Sequence, residues 1–155
     1  MRRVIAAALT AVLVIAAGAL LWIRHEAAAL KTVRADVMAE APTLVEDLLS
    51  YNSETVDRDL GEAANGATGS FKDGFVDFAT TSVVPQSKAK GISTRARVID
   101  VGLLTAGDDH AELLMFVDQI TTSFAQPAPA SSSSRVRVIV DRVDGQWLVG
   151  ELTPI

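Results

Sequence analysis

Hydrophobic and polar positions follow three successive patterns along the chain. Residues 4–23 (VIAAALTAVLVIAAGALLWI) carry no charged side chain, and at about 1.5 Å per residue such a helix spans the roughly 30 Å hydrocarbon core of a bilayer. A transmembrane helix is predicted there. From Val33 the pattern becomes helical and amphipathic: Val33, Val37, Ala41, Leu44, Val45, Leu48 and Leu49 recur at steps of three and four, which places them on one face. Pro42 lies inside this stripe without an N–H to donate, so the helix is expected to kink there or to restart with Pro42 in its first turn, its apolar phase unchanged. Tyr51-Asn52-Ser53 breaks the pattern, Ser53 is placed to cap a second helix through Leu60 with Glu54 in its first turn, and Gly61 and Asn65-Gly66 end it. Thr68-Gly69-Ser70 leads into a third helix bearing Phe71, Phe75 and Phe78, with Ser70 and Asp73 spaced as a capping box. Three short helices thus precede Pro85.

Beyond Pro85 and a polar loop at Lys88-Ala89-Lys90-Gly91, the chain alternates and is rich in β-branched residues. Strands are predicted at 92–104, 111–124, 135–142 and 146–152. Gly107-Asp108-Asp109 and Asp144-Gly145 suit tight hairpin turns, the second of type I′, so neighbouring strands should pair antiparallel. Gln126-Pro127-Ala128-Pro129-Ala130 and the four serines after it hold little apolar surface, and a flexible hairpin loop is expected over 126–134. The class is α+β, with about three helices packed on an antiparallel sheet.

Arg2 and Arg3 precede the apolar run, while Arg24 and His25 follow it with Glu26 offsetting them. This bias favours an N-terminus inside the cytoplasm. Residues 1–3 are then cytoplasmic, 24–34 form a juxtamembrane linker helix, and 35–155 form one domain in the periplasm-like space of the cell envelope, on the outer side of the inner membrane. Trp22 suits the outer interface. Ala17-Gly18-Ala19 and Ala27-Ala28-Ala29 also fit signal-peptide cleavage, although the run exceeds the 7–15 residues of a usual signal core; an uncleaved single-pass anchor accounts for its length.

Charge adds a contrast between the two halves. Asp36 to Asp77 holds ten acids against Arg58 and Lys72, whereas Lys88 to Glu151 holds eight acids against seven bases. The acidic helical half repels nucleic acid and anionic lipid head groups, and a partner surface facing Glu46, Asp47, Asp57 and Asp59 is expected to be basic. Cysteine is absent, which excludes disulfides, thiolate nucleophiles and Cys-based metal sites.

Candidate chemistry is sparse. His25 and His110 are the two histidines, too far apart in sequence for a helix-borne metal pair, and Asp108-Asp109-His110 reads as a solvated turn. No serine sits in a nucleophile elbow. Asp118 and Gln119 interrupt the apolar run Leu113-Leu114-Met115-Phe116-Val117, and strand alternation sends them to opposite faces. One of them can face a central cavity, where a desolvated carboxylate would act as a base; equally, Asp118 can pair across strands with Arg97, Arg135 or Arg137. Tyr51 is placed to donate a hydrogen bond into the same cavity, with Leu113, Met115 and Val117 in its lining. Trp147 reads as core. No catalytic, cofactor-binding or metal-ligating residue is assigned.

Leu48-Leu49-Ser50-Tyr51-Asn52, Asp57-Arg58-Asp59-Leu60, Ala67-Thr68-Gly69-Ser70-Phe71, Val117-Asp118-Gln119, Arg135-Val136-Arg137-Val138 and Val143-Asp144-Gly145-Gln146-Trp147-Leu148-Val149 follow the anchor in this order. Together they resemble the actinobacterial Mce-associated membrane proteins, single-span partners of mammalian-cell-entry lipid importers. The resemblance implies a nuclear-transport-factor-2-like (SnoaL-like) cone, in which a curved antiparallel sheet wraps the helices. It also implies a non-enzymatic accessory subunit that stabilises or assembles an Mce-type lipid or sterol importer, with Mce transporter subunits as partners, membrane lipid held by 4–23 and no cofactor. Two alternatives stay open: a lipid or sterol carrier domain with an apolar cavity, and a steroid-isomerase-like cavity enzyme using Asp118 as base and Tyr51 as oxyanion donor.

Overall fold

The helical stripe lies across one face of the sheet, and that contact is the core. The computed structural model describes residues 31–155; the expected anchor at 4–23, its flanks and its alternative cleavage sites lie outside the described residues. Among the described residues no helix is long and apolar enough to cross a membrane.

The first helix, α1 (31–49), runs unbroken through Pro42. Its phase is the expected one: Val33, Val37, Ala41, Val45 and Leu48 are buried, at steps of three and four. Helix α2 spans Val56–Ala63. It starts after Thr55 rather than Ser53, because the Ser53 amide is held by the Ser93 hydroxyl at 2.9 Å. It also runs past Gly61, since Val56, Leu60 and Ala63 bury one face through its last turn. After a tight turn at Ala64–Gly66 comes α3 (Gly69–Phe78), which follows Thr68 and has no side-chain cap; the expected Ser70–Asp73 capping box does not form.

The predicted stop before Pro85 is the largest departure among the helices. A wide π turn over Ala79–Val83 carries α3 into a further helix, α4 (Val84–Lys90). The Thr80 hydroxyl donates to the Val76 carbonyl at 2.9 Å and the Thr81 hydroxyl to the Asp77 carbonyl at 2.7 Å, and such back-bonding loosens a helical turn. Pro85 sits in the first turn of α4, where a missing N–H costs little. Lys88-Ala89-Lys90 is therefore helix rather than loop, and Gly91 closes it in the left-handed region at φ 63°.

Four strands form one antiparallel meander in the order β1-β2-β3-β4: β1 (Ser93–Ala106), β2 (His110–Thr122), β3 (Ala130–Val143) and β4 (Gln146–Pro154). Asp144 and Gly145 both take positive φ, 51° and 83°, as the type I′ turn requires. The loop expected over 126–134 is shorter than its composition suggested, because β3 begins at Ala130 and the four serines pair in register with Val117 to Ile120. Their backbones complete a ladder that β2 already offers, and backbone pairing does not depend on apolar side chains. Bulges between Val98 and Asp100 and between Leu103 and Thr105 bend β1.

Burial on β2 alternates strictly from Ala111 to Val117. Leu113, Met115 and Val117 meet Val136, Val138, Val140, Val149 and Trp147 on the inner face, beneath α1. The Arg142 guanidinium lies 5.6 Å from the centre of the Trp147 ring, a cation–π contact at the edge of this core. Leu113→Ala should cost about 2–5 kcal/mol in urea unfolding, whereas Leu104→Ala, at a bulge where the side chain is 53% exposed, should stay within about 0.5 kcal/mol; equal losses would refute this account of the core.

Candidate functional site

Two sheet edges hold the helices apart and leave an apolar cavity between them. On the β1 edge, the Tyr51 amide donates to the Thr94 carbonyl at 2.8 Å and the Thr94 amide returns a bond to Tyr51 at 2.9 Å. The next outward amides of β1 are also satisfied, Ala96 by the Ser50 hydroxyl at 2.9 Å and Val98 by the Glu46 carboxylate at 2.8 Å. On the opposite edge, the Thr68 amide donates to the Val149 carbonyl of β4 at 2.9 Å, which suspends α3 from that strand. The space between is about 670 Å³.

The face of α3 formed by Phe71, Gly74, Phe75 and Phe78 is one wall; the Phe71 and Phe75 rings are 6.3 Å apart and tilted by 34°. Leu48 and Leu49 from the end of α1 form another, and Thr94, Gln119, Leu152 and Pro154 form the sheet side. No charged residue is among the described lining residues. The Thr94 and Thr121 hydroxyls share a hydrogen bond of 3.1 Å, while among the described residues the Gln119 amide and the Tyr51 hydroxyl have no side-chain partner.

A clamp beside Tyr51 fixes this corner. The Asp59 carboxylate accepts from the Thr55 hydroxyl at 2.6 Å, the Asn52 amide at 3.0 Å and Arg58 at 3.1 Å. Burial pushes the Asp59 carboxyl upward, but the bonds from Thr55, Asn52 and Arg58 outweigh it and hold the group below its ordinary value. Lys88 lies 2.6 Å from Asp57 and lowers that exposed carboxyl as well. Glu46, Asp57 and Asp59 are thus each engaged within the domain, which leaves Asp47 as the exposed, unengaged member of the acidic set expected to face a basic partner.

Of the residues singled out by sequence, Tyr51 and Gln119 lie in the cavity wall. Leu113, Met115 and Val117 are fully buried under α1 and lie in the main core rather than in the lining. Asp118 is on the outer face of the sheet, exposed, opposite Arg97 in register and accepting from the Ser133 hydroxyl at 2.5 Å. Asp118 and Tyr51 therefore do not share a cavity, and the isomerase pairing has no geometry to support it. His110 pairs with Asp141 at 2.7 Å beside the β1–β2 turn, and the described residues contain no cluster of three or more His, Asp or Glu side chains that could hold a metal ion. Sequence reasoning placed Phe71, Phe75 and Phe78 on one helix without assigning them to a site; the usable signal was their spacing of four and three, which puts all three on one helical face.

Residues 1–153 match the family described as "Uncharacterized protein Rv1363c/MT1408-like". The chain belongs to this family. Among relatives of this chain, "Uncharacterized protein Rv1362c" of Mycobacterium tuberculosis is 37% identical over 70% of this chain and 49% of its own length. "Outer membrane protein Rv1973" of the same species is 34% identical over 90% of this chain and 86% of its own. The chain thus spans about half the length of the first of these relatives.

Among solved structures, an IcmL-like type IV secretion system protein of Legionella pneumophila superimposes with TM-score 0.66 at 14% identity, covering 79% of this chain and 93% of its own. The periplasmic domain of DotI gives 0.61 at 13% identity, over 74% and 89%. A putative aromatic ring hydroxylase from Novosphingobium aromaticivorans gives 0.54 at 13% identity, over 81% and 87%. At these identities the likeness is one of fold.

Because the folded Asp59 carboxyl is held below its unfolded value near 3.9, its contribution is present above that value and lost as pH falls through the lower folded one. Urea unfolding of Asp59→Asn should therefore show a smaller loss of stability than the parent between pH 5 and pH 3; parallel curves would remove Asp59 from the acid response.

Proposed function

We propose that the chain is a non-enzymatic accessory subunit, held in the inner membrane by 4–23 with its N-terminus in the cytoplasm. In this reading its exported domain, 35–155, stabilises or assembles an Mce-type lipid or sterol import complex. The observation that carries the reading is the described domain itself, a helix-on-meander module whose fold recurs in a secretion-system protein and in a domain named as periplasmic. The uncharged run before it supports tethering, and the relative named as an outer membrane protein supports an envelope location. The residue pattern resembling Mce-associated proteins supplies the importer. Fold alone does not supply a role.

The cavity favours a second reading, in which the same domain carries an apolar ligand to the importer. Its volume of about 670 Å³ falls within the roughly 300–1,000 Å³ of small-molecule sites, and a solid scaffold has no need of it.

In-cell crosslinking of the tagged full-length chain, with mass spectrometry of what is captured from solubilised membranes, tests the first reading. Mce transporter subunits should be enriched, and the enrichment should vanish when 1–34 is kept and 35–155 is removed. Capture that is unchanged by this deletion, or that contains no transporter subunit, would refute the assignment.

A further inference from the structure

We infer that the cavity selects an amphiphile with one long apolar body and an uncharged hydrogen-bonding end, such as a hydroxyl, ester or amide, and rejects the same body ending in a carboxylate. This deepens the carrier reading and rests on it. The walls that would meet the body are aromatic and aliphatic, Phe71, Phe75, Phe78, Leu48 and Leu152 among them. No lysine, arginine or histidine is among the described lining residues, so an ionised end group would be desolvated without a cation to meet it, which is strongly unfavourable. A neutral end meets what the wall does offer.

That offer includes the Gln119 side-chain amide, which like the Tyr51 hydroxyl has no side-chain partner among the described residues and can both donate and accept. Alternation along β2 turns Gln119 to the inner face, opposite Ala96 and two residues along the ladder from Thr94, while its neighbour Asp118 faces outward and is satisfied by Ser133. The one carboxylate adjacent in sequence is thereby kept out of the cavity. The polar lining residues away from α3 are Tyr51, Thr94 and Gln119, whereas on α3 the phenylalanines share their wall with one hydroxyl, that of Ser70, so the Tyr51, Thr94 and Gln119 side offers the polar end of a ligand more hydrogen-bonding groups.

Gly74 provides a clean way to close the site. It lies on the cavity face of α3, and a Cβ there would meet nothing within 4 Å. A leucine at this position enters open space, and leucine is a better helix former than glycine.

The test uses the full-length chain in phosphatidylcholine nanodiscs at pH 8, with hexadecanol and hexadecanoic acid bearing the same mid-chain diazirine, and mass spectrometry of the photoadducts. The alcohol should label peptides containing Phe71–Phe78 or Gln119 about ten-fold or more over the acid. Gly74→Leu should bring cavity labelling to background with the unfolding temperature unchanged or raised. Gln119→Leu should lower alcohol labelling about five-fold without changing the unfolding temperature. Equal or stronger labelling by the acid would overturn the selectivity while leaving the carrier reading standing. Absence of cavity labelling by either probe, or labelling indifferent to Gly74→Leu, would take down the carrier reading and the inference together.

Discussion

The architecture depends on how the outer edge of β1 is covered. A sheet edge leaves every second amide facing outward, and each one buried without a partner costs about 1–3 kcal/mol. Thr94, Ala96 and Val98 present three such amides, and the end of α1 answers them with the Tyr51 carbonyl, the Ser50 hydroxyl and the Glu46 carboxylate. These bonds set both the height and the direction of α1 over the sheet. With α1 fixed, Val37, Ala41 and Val45 fall above Leu113, Val138 and Val140 as one core. Because α1 ends at 49, the part of the sheet beyond Leu48 is not covered by α1, and the cavity occupies the space between it and α3.

Much of this was legible in the chain. The α1 stripe and the alternation of β2 are repeated signals, each supported by several residues on one face, so a single irregular position such as Pro42 does not erase them. The Asp144-Gly145 turn was legible because positive φ at both positions restricts the residue types that fit. What sequence hid was decided by partners distant in the chain. Ser53 has the chemistry of a cap but is held forty residues away by Ser93; Lys88 to Lys90 has the polarity of a loop but completes a helix that Pro85 begins and Gly91 ends; and the four serines become strand because β2 offers them a ladder.

The site divides in the same way. Tyr51 and Gln119 stand out as isolated polar residues at the end of an apolar helix and inside an apolar strand, and the structure places both in the cavity wall. Leu113, Met115 and Val117 share the face of Gln119, but their distance from the cavity follows from where α1 stops, which no pattern on β2 encodes. The phenylalanines of α3 reach the cavity because Thr68 binds to Val149 on the edge of β4, a pairing between residues 81 positions apart that leaves no mark in the local sequence.

Strand alternation then decides the chemistry. A shift of one residue in the pairing of β2 would exchange its two faces, bringing Asp118 and Phe116 inward and turning Gln119 to solvent. The fully buried Leu113, Met115 and Val117 make that shift prohibitive, since it would expose all three. The hydrophobic core, at one end of β2, thereby fixes which polar residue the cavity sees at the other: an amide that can bond without charge, in place of a carboxylate that would demand a cation the wall does not contain. In this fold the packing that stabilises the domain and the polarity of its cavity are two consequences of a single strand register.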